Sequence, residues 1–251
     1  MCAPAVRQGA QAKHEISVGN LSDPVYIGAP LPDRAALNTF PGALPELLPP
    51  LESLARGLEE HGFAVQPGGL PLDVADTLTG YAAKVGPGEF RPAAVGRGAE
   101  QQRNRFVRRD LIHWMDDRDP ALARWRDWTE SLRVQLNRQL FLGLFSFESQ
   151  LAHYRPGDFY RTHVDAFKGE ANRVVSLVCY LNEDWKDGDG GELVLYTEPG
   201  PVIVQPLYRT VVLFLSEEVP HEVKPAMRDR YSLAGWFRLN SSSQDRIDPP
   251  R

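Results

Sequence analysis

The chain reads as an α+β protein in which helices come first and a β-sandwich or jelly roll follows. Three observations predict this. Apolar residues recur at helical spacing in three stretches before residue 141. From Phe145 onward, short runs rich in Val, Leu, Phe and Tyr alternate with turn residues. The two textures do not interleave, which separates this order from a βαβ repeat.

Pro49-Pro50 opens the first helix, with Leu51, Leu54, Ala55 and Leu58 on one face and Gly62 placed to end it. Phe63-Ala64-Val65 follows as a strand. A second helix is expected over 72–85, with Leu72, Ala75, Leu78 and Ala82 inward. Residues 86–109, rich in Gly, Pro and Arg, read as a long loop. Asp119-Pro120 is an N-cap with Pro at the first helical position, and the helix runs to Leu140. Its Leu122, Trp125, Trp128, Leu132, Leu136 and Leu140 make one continuous apolar face, long enough to buttress a sheet.

The strand-like runs are 173–182, 192–197, 211–215 and 231–238, separated by turn signals such as Arg155-Pro156-Gly157-Asp158 and Asp187-Gly188-Asp189-Gly190-Gly191. Residues 1–43 carry five prolines among small and polar residues without a sustained period, and read as a flexible extension. The domain organisation is therefore an extension over 1–43, one catalytic-sized domain over 44–239 with its β-rich core at about 145–239, and a tail over 240–251.

A net charge of -5 over 251 residues disfavours a nucleic acid or an anionic membrane as partner. No apolar stretch reaches the roughly 20 residues that span a bilayer. The two cysteines, Cys2 and Cys179, offer no disulfide framework, and no signal-peptide pattern opens the chain. A cytoplasmic location is expected.

The chemistry concentrates at His163-Val164-Asp165. On a strand, residues i and i+2 point to the same face, so an imidazole and a carboxylate converge. His221 arrives just after the VVLFL run. Two His and one carboxylate form the facial triad of non-haem iron oxygenases, which leaves open positions for substrate and oxygen. His-X-Asp alone is a short pattern that a chain with six histidines can contain by chance. His61, His113 and His153 carry no such partner and read as ordinary structural residues.

The second half of the pattern is Arg230, nine residues after His221, with Ser232 two positions on. An Arg pointing into a barrel is costly to bury unless an anion neutralises it. Its fork suits a carboxylate, and the serine adds a hydroxyl donor. The competing reading makes Arg230 a surface residue paired with Asp229 or Glu218.

These motifs together resemble the prolyl 4-hydroxylase superfamily, specifically the HIF prolyl hydroxylase type. The resemblance rests on His153-Tyr154-Arg155-Pro156-Gly157 leading to His163-Val164-Asp165, on Tyr180-Leu181-Asn182-Glu183-Asp184-Trp185, on Gly190-Gly191-Glu192-Leu193, and on Pro220 to Ala226 followed by Arg230-Tyr231. It extends more weakly to His61-Gly62-Phe63 and Asp110 to Trp114, covering about 44–239.

It implies a double-stranded β-helix (jelly roll, cupin-like) core buttressed by the N-terminal helices. It also implies Fe(II), 2-oxoglutarate and O2, with L-ascorbate as reductant. In that frame His163, Asp165 and His221 are the metal ligands, and Arg230, Tyr180, Tyr154, Ser232 and Trp236 bind the co-substrate. Arg109, Asp110 and Trp114 belong to a substrate loop over 96–114 rich in arginine, including Arg97, Arg103, Arg105 and Arg108, and Arg173, which begins the strand after the His-X-Asp motif, is grouped with it. An Asp110–Arg173 ion pair is expected to hold that loop closed.

The implied partner is a protein or peptide containing proline, of HIF type or elongation-factor-Tu type. Only thirteen residues follow Arg238, fewer than that type's C-terminal substrate-contacting helix requires, and there is no zinc-finger pattern. Hydroxylation of a free amino acid or other small molecule, and a metal-free jelly-roll binding module, are the competing functions. A nucleic-acid demethylase fits less well, because the interval from Arg230 to Arg238 differs from the second-arginine spacing of such enzymes.

Overall fold

The computed structural model describes residues 25–27, 50–93, 104, 106–166, 172–198 and 200–240. Helix α1 (Pro50–His61) buries Leu54, Ala55 and Leu58, the face its periodicity predicts. Gly62 ends it at φ +75°, a conformation that suits glycine. Strand β2 (Phe63–Gln66) follows. Helix α2 (Leu72–Ala82) is shorter than expected and buries Val74, Ala75 and Leu78. Leu72, expected inward, is exposed at the helix's first residue, where Pro71 sets the entry.

Two short strands, β3 (Arg91–Pro92) and β4 (Leu111–Trp114), come next. Asp119 accepts from the Ala121 N–H and caps a 3-10 turn, Pro120–Leu122, before the main helix α3 (Ala123–Leu140) begins. Leu132 and Leu136 are fully buried along its apolar face. No helix among the described residues is long and apolar enough to cross a membrane.

The remaining strands are β5 (Ser146–Tyr154), β6 (Tyr160–His163), β7 (Arg173–Tyr180), β8 (Leu193–Tyr196), β9 (Pro201–Val204), β10 (Val211–Leu215), β11 (His221–Val223) and β12 (Arg230–Arg238). They form two sheets. The larger runs β2-β10-β7-β12-β5-β4-β3 and the smaller β1-β9-β8-β11-β6. Strand β1 (Val25–Ile27) comes from the stretch expected to be a flexible extension, and pairs parallel with β9. The rest of 1–43, the loop arginines Arg97, Arg103 and Arg105, and the tail after Asn240 lie outside the described residues.

Strand alternation sorts the larger sheet into two faces. Val175, Leu177, Cys179, Val211, Leu213, Leu233 and Phe237 join the helices' apolar faces in one core. Their neighbours Tyr180, Val212 and Phe214 meet Leu193, Leu195, Val202 and Val204 of the smaller sheet in a second core. The helices thus buttress one side of a jelly roll, as its double-stranded β-helix form requires. The functional side chains lie on the other side, between the sheets.

Candidate active site

His163 ends β6 and His221 begins β11, and the two are direct partners in an antiparallel pair. Asp165 is not on the strand. It sits in the turn after β6, where the Asp165 and Ala166 N–H groups donate to the Ser216 carbonyl at 3.1 and 3.2 Å. That turn, more than the i, i+2 alternation expected of a strand, swings the carboxylate towards the histidines. The Nε2 atoms of His163 and His221 lie 3.5 and 3.8 Å from Asp165 Oδ1. The ligand atoms of all three residues lie within 4.8 Å of one another.

Each imidazole is oriented by its other nitrogen. His163 Nδ1 lies 2.8 Å from the Arg161 carbonyl oxygen, and His221 Nδ1 lies 3.0 Å from that of Val219. A carbonyl only accepts, so both Nδ1 atoms carry the proton and both Nε2 atoms keep a lone pair facing Asp165. The Ser176 hydroxyl donates to Asp165 Oδ2 at 2.6 Å and meets the Ser216 hydroxyl at 2.9 Å.

Burial pushes His221 down to about 4, against the pull of Asp165. Burial would raise the Asp165 pKa, but His221, His163 and the Ser176 hydroxyl outweigh it and hold the carboxyl well below the usual range. Near neutral pH this leaves a carboxylate beside a neutral His221 imidazole. An N2O donor set of this kind fits Fe(II) and lacks the thiolates of a structural zinc site.

Further between the sheets, Arg230 is 1% exposed. Its Nε donates to the Gly191 carbonyl at 2.9 Å and an Nη to the Ser232 hydroxyl at 3.0 Å. The guanidinium lies over the Tyr154 ring at 4.8 Å and the Tyr180 ring at 5.1 Å. Among the described residues no carboxylate comes within ion-pair distance of it. Asp229 instead meets His153, at 2.7 Å, which removes the surface-pair reading.

The Tyr180 hydroxyl is buried with no hydrogen-bond partner, and burial pushes its pKa up to about 12. A buried cation without an anion, beside an unpartnered phenol, marks a place for a bound carboxylate. Gly191 makes the room. It adopts φ +69°, and a Cβ there would come 2.9 Å from Arg230 Cδ.

Ser232 and Tyr180 are thus brought to Arg230, and Tyr154 flanks it. Trp236 shares their side of β12 but lies towards the other end, with its buried indole N–H unpartnered. The Trp114 ring meets it at 6.0 Å and the Arg173 guanidinium covers it at 3.7 Å. Arg109 lies over Phe159 at 5.0 Å.

The expected Asp110–Arg173 pair does not form. Asp110 is 1% exposed and takes a two-pronged ion pair from Arg108, at 2.8 and 2.6 Å. Arg173 pairs with Glu148 at 2.6 Å. The register explains why. Leu111, next to Asp110, opposes His153 and through it Tyr231, whereas Arg173 opposes Arg238. Seven residues of strand, roughly 20 Å, separate the two ends.

Several supporting residues escaped the sequence reading: Ser176, Ser216, Tyr160 and Glu148; Arg108 was read as a loop arginine, but not as the partner of Asp110. Ser176 had a signal, since it is a polar residue in an apolar strand and shares the parity of Tyr180. Ser216 had none, because its contact depends on how a distant turn packs.

The model of the 2OG-Fe(II) oxygenase superfamily matches residues 149–238. A prolyl-4-hydroxylase from Pseudomonas putida is 40% identical, with 76% of this chain and all of that chain covered and a TM-score of 0.69. A Trichoplax adhaerens prolyl hydroxylase, solved with a peptide fragment of the hypoxia-inducible factor oxygen degradation domain, is 26% identical over 75% of this chain and 88% of that one, with a TM-score of 0.64. The hypoxia-inducible factor prolyl hydroxylase of Caenorhabditis elegans is 26% identical over 78% of this chain, which spans 29% of that protein's length. The chain belongs to the 2OG-Fe(II) oxygenase superfamily, as a prolyl hydroxylase-like member.

Proposed function

We propose that the protein is an Fe(II)- and 2-oxoglutarate-dependent prolyl 4-hydroxylase acting on a prolyl residue of a protein. The observation that carries this reading is Arg230, buried among the described residues without a carboxylate partner beside the unpartnered Tyr180 hydroxyl, on the sheet face that also carries Ser176, the donor to Asp165 of the His-Asp-His cluster. A dicarboxylate spanning cluster and arginine satisfies both at once.

His163, Asp165 and His221 hold the metal through two imidazole nitrogens and one carboxylate oxygen. Arg230, with Ser232 and Tyr180, takes the distal carboxylate of 2-oxoglutarate, and Tyr154 walls that end. Fe(II) with 2-oxoglutarate and O2 supplies the oxidation, in which one oxygen atom enters the substrate C–H bond as hydroxyl and the other leaves in succinate, with release of CO2. The chain's part is to orient these groups and keep water out of the space between the sheets. No side chain is needed as a general base. Ser176 and the two backbone carbonyls fix the ligands' protonation and direction.

The substrate half of the reading rests on kinship. The Trichoplax relative was solved with a peptide, and the exposed Trp114 ring, which meets Trp236, is the side chain of this chain that we assign to substrate contact. Residues 44–239 form the catalytic domain in this reading. L-ascorbate as reductant and a cytoplasmic location belong to the same proposal. Conversion of 2-oxoglutarate to succinate, with and without Fe(II), tests the first half. Gain of one oxygen mass on a proline, mapped by mass spectrometry of candidate proteins with active and Arg230→Lys enzyme, tests the second. Oxygen found only on free amino acids or small molecules would overturn the protein-substrate reading.

A further inference from the structure

The two histidines of the cluster are not held equally. His221 is 5% exposed, sits on a strand with neighbours on both sides, and packs against Phe214 with ring centroids 4.5 Å apart. His163 lies at the end of β6, the edge strand of the smaller sheet. An edge strand has one free side, and a ligand placed there needs support from elsewhere.

That support comes from residues 107–109. The Arg161 N–H donates to the Val107 carbonyl at 2.8 Å, the Arg109 N–H donates to the Phe159 carbonyl at 3.0 Å, and Arg108 bridges to Tyr160. This strip runs directly into Asp110 and β4, so it ties the edge of the smaller sheet to the larger one.

Two routes lead from the strip to His163. One is backbone: Arg161, whose N–H is held by Val107, offers its carbonyl to His163 Nδ1. The other is through rings. The Arg108 guanidinium covers the Tyr160 ring at 4.1 Å, and that ring stacks on the His163 imidazole with centroids 3.5 Å apart and planes 16° apart. A register shift makes the stack possible. His221 and Val223, two positions apart on β11, oppose His163 and Tyr160, three positions apart on β6. The extra residue is a bulge, and it turns both rings to one side. Arg108 is in turn fixed by the two-pronged, buried Asp110 carboxylate.

We propose that Arg108, held by Asp110, is a positioning residue for the metal ligand His163, acting through the stacked ring of Tyr160. The inference rests on the reading that His163, Asp165 and His221 hold a metal. It adds that the seat of the 107–109 strip sets how well they do so. By linkage, metal in the site must steady the strip by the same free energy with which the strip favours the metal.

The test uses Co(II), whose d–d absorption reports ligand geometry, titrated into the full chain without 2-oxoglutarate. Replacing a partner that orients a metal ligand typically weakens metal affinity about 10–100-fold. Arg108→Lys and Tyr160→Leu are expected to fall in that range with an altered band. Tyr160→Phe, which keeps the ring, should bind as wild type does. Hydrogen exchange at the Arg161 and Arg109 amides in the wild-type chain should slow when Co(II) is added, a readout that needs no variant to fold.

Unchanged Co(II) affinity and band shape in both Arg108→Lys and Tyr160→Leu overturn the proposal, as does exchange at those amides that ignores the metal. His221→Ala separates the two readings. If it binds Co(II) as tightly as wild type, the metal site itself is wrong.

Discussion

His163 and His221 face each other as direct partners across the β6–β11 ladder, with ring centroids 4.2 Å apart, and Asp165 closes the triangle from the turn beyond β6. Ser176, Ser216 and two backbone carbonyls orient the three side chains. His163→Ala and His221→Ala are each expected to abolish succinate formation while leaving the circular dichroism spectrum near that of wild type. A variant with an intact spectrum and normal turnover would remove that residue from the ligand set.

The same burial makes the metal-free protein acid-sensitive. The folded pKa of His221, about 4, lies below its ordinary value of 6.5. The unfolded chain therefore binds this proton first as pH falls. Above about 6.5 the buried neutral ring carries no such penalty. Between about 6.5 and 4 stability drops, by about 3 kcal/mol from this group. Asp165, held below its usual range, contributes stability that is lost only at lower pH still. Urea midpoints of the apo-protein at pH 7 and pH 4.5 should differ more for wild type than for His221→Gln. Equal differences in the two would show that His221 is not the group responsible.

In the proposed co-substrate site, Arg230→Lys keeps the charge but loses the fork that meets Gly191 and Ser232 and would take the carboxylate as well. Loss of a charged hydrogen bond corresponds to about 10–100-fold in affinity. The expected result is a higher KM for 2-oxoglutarate with little change in Fe(II) binding. A KM equal to that of wild type removes the anchoring role.

Gly191→Ala probes the room that arginine needs. The new Cβ would come 2.9 Å from Arg230 Cδ and 3.2 Å from Ala226 Cβ, at a backbone φ of +69°. The left-handed conformation alone costs about 1–2 kcal/mol for a residue with a side chain. A lowered melting temperature and a raised KM for 2-oxoglutarate are expected together. A variant that loses stability but keeps its KM would show that Arg230 can move without consequence.

Most of the candidate site's side chains were legible because the proposed chemistry restricts them to few residue types. His163, Asp165, His221, Arg230 and Ser232 could be read in order, and the periodicities of α1 and α3 survived in their buried faces. Packing decided what the sequence did not show. Leu72 fits the helical stripe, yet it sits at the helix start, where Pro71 leaves it in solvent. Asp165 reaches the histidines through a turn anchored on Ser216, a contact between segments about fifty residues apart. Val25–Ile27 lies in a proline-rich stretch without periodicity, and three residues are too few to carry a strand signal before a sheet edge offers itself.

The ion pair expected between Asp110 and Arg173 gives way to two separate pairs, Arg108–Asp110 and Arg173–Glu148, at opposite ends of the larger sheet. Two charges near the same functional region look like partners in a linear sequence, because strand register is invisible there. Double-mutant cycles on unfolding free energy distinguish the arrangements. Asp110→Asn combined with Arg173→Gln should be additive within about 0.5 kcal/mol, as for distant sites that share no partner. Asp110→Asn combined with Arg108→Gln should not be additive. The single change at Asp110 leaves a mostly buried guanidinium without its carboxylate, a loss of about 3 kcal/mol, and removing Arg108 as well relieves part of it. A coupling energy for Asp110 and Arg173 that matches the one for Asp110 and Arg108 would mean that the strip at 107–109 and Arg173 meet in solution.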